Sequence, residues 1–241
     1  GRRRRVRTAT RAATAAAARG PMCTCAHDRA CGPLPCAMRK VTMQEFLTLD
    51  GVMQAPGGPD EDRADGFAYG GWTAPHFAAA DAAAGAFMAE HLKPADLLLG
   101  RRTYEIFAAY WPHHADQWPG IEDVTKYVVS STWTPELVAA SGWSNSVLLT
   151  GLDDVKALRE AAGSELKVIG SSVLARSLLA HDMVDEMVLM TFPVVLGPGK
   201  RIFADDAAPA AFVMTSGQVT PNGVTLAHYR KSGAVATGTV G

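Results

Sequence analysis

The sequence predicts an α/β domain with helices packed between the strands of one sheet. Three observations carry this. Short apolar runs of strand character recur from residue 41 onward. Stretches of helical length separate the middle runs. The last third is strand-rich, with hairpin turn chemistry at Pro221-Asn222-Gly223.

Taken in order, residues 41–53 read as a strand entering a turn at Asp50-Gly51. A Gly/Pro/Asp-rich loop of 18 residues follows, and loops of that length inside compact domains are usually functional or mobile. Residues 75–92 are Ala-rich and helical, with Pro75 suited to the first turn and Phe77, Ala84, Phe87, Met88 and Leu92 able to share a face. Leu97-Leu98-Leu99, ended by Gly100, reads as a buried strand. The next helix, 103–111, is closed by Pro112. Strands are expected at 126–132 and 146–151, a helix over 152–163 stopped by Gly163, then a strand at 165–172 leading into a helix. Closing strands fall in 184–197 and 211–231. The small-residue tail 232–241 is expected to fray.

Charge is unevenly placed. Residues 1–37 carry eight arginines and the single acid Asp28, so the remaining chain has a balance of −8. An acidic domain excludes wholesale nucleic-acid binding by it, and no apolar run approaches the roughly 20 residues of a membrane span. The 1–37 segment lacks apolar periodicity and is expected to be disordered. It reads as a dispensable tail or a start-site artefact, with a transit-type peptide and a basic arm as alternatives. Cys23, Cys25, Cys31 and Cys36 all lie there, in a spacing that lacks the paired C-x2-C of structural zinc, so no metal site is expected. The domain proper, 38–231, has no cysteine, which fits a reducing cytoplasm.

Three strand ends share one feature. One ends in Gly100-Arg101-Arg102-Thr103, one in Ser130-Ser131-Thr132, and one in Gly170-Ser171-Ser172 at a helix start. Ligands of open α/β sheets sit outside the carboxyl ends of strands. A helix N-terminus offers unpaired N–H groups to an anion, and forked arginines add donors for a second one. Each turn alone is a weak signal, and Gly-Ser-Ser before a helix is more often merely a cap. Together they suit one extended ligand with two phosphate positions.

On these residues, with "LTLDGVM", "LLLGRRTYE", "YVVSST", "VIGSSVLARSLL" and "DEMVLMTFPVVLGPGKRIF", the chain resembles the dihydrofolate-reductase-like superfamily. Within it, the chain is most similar to the branch related to the reductase domain of the riboflavin-biosynthesis deaminase–reductase. The resemblance covers 38–230. It implies a three-layer α/β domain around a mostly parallel sheet of about eight strands, with NADPH as cofactor, and often a homodimer. Gly100, Arg101, Arg102 and Thr103 match the turn at the cofactor phosphates, and Ser130 and Ser131 the serines beside the 2′-phosphate. Gly170, Ser171, Ser172, Val173 and Leu174 match the glycine-rich turn beneath the pyrophosphate and nicotinamide. Leu49, Asp50, Gly51, Val52 and Met53 match the first strand's end and the loop over the nicotinamide. The acid that grips the pteridine in true dihydrofolate reductases would fall near Ala83 or Ala84. Asp81, a turn earlier, is the nearest acid and the expected proton donor, with Asp50, Tyr104 and water as alternatives. With alanine at the pteridine-gripping position, dihydrofolate is not expected as substrate; with no deaminase segment ahead of this domain in the chain as given, the riboflavin-pathway role is not expected either.

Rival motifs are weak. "GPGK" at 197–200 lacks the P-loop frame and reads as a turn. His113-His114 is poor metal-ligand spacing, and no histidine–acid set accompanies Ser171 or Ser172. Trp72 and Trp111 are candidates for the substrate side. The expectation is an NADPH-dependent reductase of a small heterocyclic or carbonyl substrate, the alternative a non-catalytic nucleotide-binding sensor. Because "MVLMTFPVVLG" is apolar at nearly every position, both faces of that strand need cover, and a homodimer through the C-terminal third is expected.

Overall fold

In the computed structural model, residues 38–77, 82–203 and 207–241 are described. Expectations for residues 1–37, and for Asp81, fall outside them.

Eight strands form one sheet: β1 (Val41–Thr48), β2 (Asp96–Gly100), β3 (Lys126–Val129), β4 (Ser146–Leu149), β5 (Leu166–Ile169), β6 (Glu186–Phe192), β7 (Ala211–Val219) and β8 (Thr225–Gly233). Their order is β4-β3-β2-β5-β1-β6-β8-β7. β1 to β6 pair in parallel, while β8 runs antiparallel between β6 and β7. Six α-helices accompany them among the described residues: α1 (Ala74–Phe77), α2 (Ala82–His91), α3 (Arg101–Tyr110), α4 (Pro135–Ala140), α5 (Leu152–Glu160) and α6 (Ser172–Ala180). This is the dihydrofolate-reductase-like three-layer fold that the sequence resembles.

The triple leucine shows why the sheet must be covered twice. Leu98 joins Val41, Met43, Val168 and Leu166 under Val155 of α5 and Leu174, Ala175 and Leu178 of α6. Leu97 and Leu99 point the other way, into a cluster with Val128, Tyr104 of α3 and Val138 of α4. Side chains alternate along a strand, so a central parallel strand reads as an unbroken apolar run. The same reasoning applies to the β6 part of residues 187–197, whose faces are covered within the chain. β6 lies inside the sheet between β1 and β8, and its Met187 and Met190 are covered on opposite faces by this chain's own clusters. Exposed apolar side chains of the C-terminal third include Val195 and, on the edge strand β7, Val213, Met214 and Val219.

Two buried lysines illustrate how charges are kept inside. Lys126 Nζ donates to the carbonyls of Glu122 and Ser144, and Lys167 Nζ to those of His91 and Lys93 at the end of α2. Burial lowers both ammonium pKa values. The β7–β8 hairpin turns at Gly223, with φ +85°, after Thr220 Oγ1 accepts the Val224 N–H. β8 runs to Gly233, two residues past the expected domain end. No helix among the described residues is long and apolar enough to cross a membrane.

Candidate functional site

The parallel strands deliver their carboxyl ends to one side, and a cleft of about 790 Å³ opens there. That size suits a dinucleotide-scale or drug-sized ligand. Of the residues singled out in the sequence, Gly100, Arg101, Arg102, Thr103, Ser130, Ser131, Gly170, Ser171, Ser172, Val173 and Leu174 all line it. The three punctuated strand ends therefore converge, as the topology requires: β3, β2 and β5 are consecutive neighbours in the sheet.

Two of these ends are locked together. Gly170 and Ser171 both take left-handed backbone, each at φ +65°. The turn aims Ser171 Oγ at the end of β2, where it accepts the Gly100 N–H at 2.8 Å and donates to Thr103 Oγ1 at 2.7 Å. A Cβ on Gly100 would sit 2.9 Å from Ser171 Cβ and Oγ, and one on Gly170 would sit 3.1 Å from the Thr103 side chain. Glycine is required at Gly100 by this close approach, and at Gly170 by both the approach and the positive φ. The Ser171 hydroxyl is thus spent within the chain. What the clasp leaves for a ligand is backbone: α3 and α6 both begin at this cleft with no side-chain cap on their first N–H groups. Those N–H groups need acceptors, and an anion is one.

Arg101 and Arg102 are half-exposed at the start of α3. Their ion pairs are long: Arg101 to Glu105 at 3.4 Å, and Arg102 to Glu105 at 3.6 Å and Asp62 at 3.8 Å. Exposed pairs of this kind contribute little and leave the guanidinium groups available. Ser130 is buried, its Oγ accepting the N–H groups of Thr132 and Trp133, so it shapes the turn. Ser131 is exposed on the cleft wall.

Other candidates fall elsewhere. Leu49, Asp50 and Gly51 are not among the cleft-lining residues. The Asp50 carboxylate accepts the N–H groups of Leu196 and Gly197, the Thr48 hydroxyl and the Arg201 guanidinium. Burial works against its charge, but the hydrogen bonds from Thr48, Gly197 and Leu196 hold the carboxyl down at about 2. It ties the turn after β1 to the loop after β6. Tyr104 is fully buried, with its hydroxyl bonded to Ser141 and Ser146, and none of the three lines the cleft. Trp111 lines the cleft; Trp72 is buried and donates to the Gln54 carbonyl. The long loop after the first turn does reach the cleft, through Gln54 to Gly57, Glu61 and Asp62. Gln54 anchors it by donating to the carbonyls of Asp62 and Ala64, and Lys200 of the "GPGK" turn closes it by an ion pair to Asp62 at 2.6 Å.

The structure adds two titratable groups that the sequence reading passed over. Glu45 stands mid-way along β1, buried, on the cleft wall beside the end of β5. Its Oε1 has no hydrogen-bond partner among the described residues. Burial pushes its carboxyl well above the usual carboxylate range, opposed by a hydrogen bond from the Gly170 backbone. His91, at the end of α2, also lines the cleft, and its buried Nε2 is likewise without a partner among the described residues. Burial, with the His228 and Lys167 charges, lowers its pKa to about 4, so the ring is neutral.

Residues 39–226 match the family model described as the RibD C-terminal domain. A curated relative, the uncharacterized protein YyaP of Bacillus subtilis, is 27% identical over 143 residues, covering 57% of this chain and 74% of that protein. Among solved structures, a proposed riboflavin biosynthesis protein from Shewanella sp. PV-4 shares the fold with a TM-score of 0.55 at 21% identity, covering 80% of this chain and 99% of the other. Dihydrofolate reductase from Enterococcus faecalis, complexed with NADP(H) and RAB-propyl, shares it with a TM-score of 0.51 at 13% identity, over 80% and 96%. The chain belongs to the RibD C-terminal domain family.

Proposed function

We propose that this reductase-type protein binds NADPH across the ends of β2, β3 and β5 and reduces a small heterocyclic or carbonyl substrate by hydride transfer. The observation that carries the reading is the convergence on one cleft of the uncapped N-termini of α3 and α6 with the weakly paired Arg101 and Arg102. A ligand with two separated phosphates answers all of these donors at once, and the close approach of Gly100 to Ser171 keeps both turns in place for it.

In this reading the N–H groups opening α6, after Gly170 and Ser171, hold the pyrophosphate. Arg101, Arg102 and Ser131 hold the second phosphate, and Val173 and Leu174 line the approach to the ring. NADPH supplies a hydride when bound; the protein contributes position, charge and exclusion of water. The chain must also provide a proton where a C=N or C=O is reduced. Asp81 is the proposal from sequence. Glu45 is a second source, favoured by its place on the cleft wall and by the burial that raises its carboxyl above the usual range. As a partner we propose a second copy of the chain, docked on the exposed β7 edge.

The test is NADPH oxidation, followed by nicotinamide absorbance, against pterins, aminopyrimidines and quinones. Turnover of any class supports a reductase. Saturable NADPH binding with no turnover across the panel would leave a nucleotide-binding module instead.

A further inference from the structure

The long loop after β1 and the "GPGK" turn after β6 meet at one buried carboxylate, Asp62. This residue lies within the loop at 54–71 and is 7% exposed. Its Oδ2 accepts Lys200 Nζ at 2.6 Å, and its Oδ1 accepts the Ala64 N–H at 3.1 Å. Gln54 ties the same two residues a second time: its Nε2 donates to the Asp62 carbonyl and its Oε1 accepts the Lys200 N–H, each at 3.1 Å. The buried carboxylate is therefore fixed to both segments by the chain itself.

From this mount one ion pair among the described residues reaches α3. Asp62 Oδ1 faces one terminal nitrogen of Arg102 at 3.8 Å, while Glu105 Oε2 faces the other at 3.6 Å. Both distances exceed a hydrogen bond, so the guanidinium stands between two carboxylates with its donors unspent. Asp62, Lys200 and Arg102 all line the cleft. Arg102 is thus the side chain that the loop shares with the start of α3, where the first N–H groups have no side-chain cap.

A phosphate at that start completes a row of alternating signs: the Lys200 ammonium, the Asp62 carboxylate, the Arg102 guanidinium, the phosphate. Arginine carries five donors in a planar fork, so it can serve the carboxylate and the phosphate from different edges. With Arg102 half in solvent, its pair to Asp62 contributes little. With a phosphate on its other side Arg102 loses water and freedom, and the same pair acts at a lower effective dielectric, where it counts for more. The effect is mutual: an arginine already steered by a fixed carboxylate has less side-chain freedom to lose on meeting the phosphate.

We propose that Asp62 is a positioning residue for the phosphate site: it steers Arg102 toward the dinucleotide phosphate and, through that arginine, fixes the loop at 54–71 over the bound ligand. This rests on the reading of the start of α3 as a phosphate site. Loop order and phosphate affinity are then two faces of one coupling, and coupling of this kind is reciprocal. Arg102 carries it, and Lys200 and Gln54 keep the carboxylate where Arg102 can use it.

Calorimetric titration with NADP⁺ and hydrogen exchange of the loop at 54–71 test it on the full chain, in wild type, Asp62→Asn, Arg102→Ala and the double variant. Asp62→Asn keeps the shape and removes the charge. It is expected to weaken NADP⁺ roughly fivefold with Arg102 present, and less than about twofold in the Arg102→Ala background. An aspartate that only held the loop together would cost the same in both. Saturating NADP⁺ should slow loop exchange at least about fivefold in wild type, and less than about twofold in each variant brought to saturation. Arg102 is half-exposed, so its variant folds, and its loop exchange decides the coupling even where Asp62→Asn does not fold. Equal losses in the two backgrounds, tighter NADP⁺ binding by Asp62→Asn, loop protection that survives in Arg102→Ala, or a wild-type loop unaffected by saturating NADP⁺ would each overturn the proposal and leave the cofactor reading intact. No saturable NADP⁺ binding by wild type would overturn both.

Discussion

Removing the Ser171 hydroxyl should loosen the joint between β2 and β5 by an amount the geometry sets. Ser171→Ala deletes two hydrogen bonds, from the Gly100 N–H at 2.8 Å and to Thr103 Oγ1 at 2.7 Å. At about 0.5–1.5 kcal/mol each, the loss is about 1–3 kcal/mol. For a domain of this size that lowers the melting temperature by about 2–12 °C, taking about 2–4 °C per kcal/mol. Ser171→Gly deletes the same two bonds but also removes a Cβ from a residue held at φ +65°. Left-handed backbone costs a residue with a Cβ about 1–2 kcal/mol, of which glycine's greater freedom in the unfolded chain returns about 0.4–1. The order of stability should therefore be wild type, then Ser171→Gly, then Ser171→Ala. Thr103→Val breaks only one of the bonds, and combined with Ser171→Ala it should cost less than the two single losses added together. Thermal melts of the four variants by circular dichroism measure this. An alanine variant as stable as wild type, or more stable than the glycine variant, would refute the clasp.

Three further outcomes are expected. Glu45→Gln should stabilise the protein at neutral pH: above 4.5 the unfolded chain ionises while buried Glu45 stays protonated, so wild-type stability falls with rising pH by about 1.4 kcal/mol per unit up to the raised folded pKa, and urea melts of the variant should lack that slope. Asp50 has the opposite sign: its contribution is present above 3.8 and lost as pH falls to about 2, so Asp50→Asn should flatten that acid loss in pH-resolved melts while lowering stability at neutral pH. On the dimer proposal, Met214→Glu on β7 should convert a dimer to a monomer by light scattering, and a wild-type monomer at micromolar concentration would count against it.

The strand ends were legible because three of them carry glycine, arginine or serine after an apolar run, and the sheet's parallel order carries all three to one side. Glu45 was only partly legible. In "VTMQEFLT" period-2 alternation sets Glu45 on the face of Val41, Met43 and Leu47, so its burial was within reach of the pattern; what the pattern does not carry is the cleft at the end of β5 that this face meets. His91 was hidden for a related reason: a histidine ending an Ala-rich helix resembles a C-terminal cap, and its partners Phe87 and His228 come from α2 and from β8, far along the chain. α4 has six residues, too few for periodicity to declare itself. The strand at residues 187–192 was read correctly as apolar on both faces, but sequence alone does not say whether the cover comes from this chain or a second one.

The central claim is a dinucleotide phosphate held at the start of α3, and equilibrium titration with NADPH and NADH by nicotinamide fluorescence tests it most directly, on wild type, Arg101→Ala and Arg102→Ala. Wild type should bind NADPH more tightly than NADH. A lost charge-assisted hydrogen bond is worth about 1.5–3 kcal/mol. At about 1.4 kcal/mol per decade, NADPH affinity should fall roughly tenfold to a hundredfold in at least one arginine variant, with NADH less affected. NADPH affinity unchanged in both variants, or no saturable binding by wild type, would contradict the account.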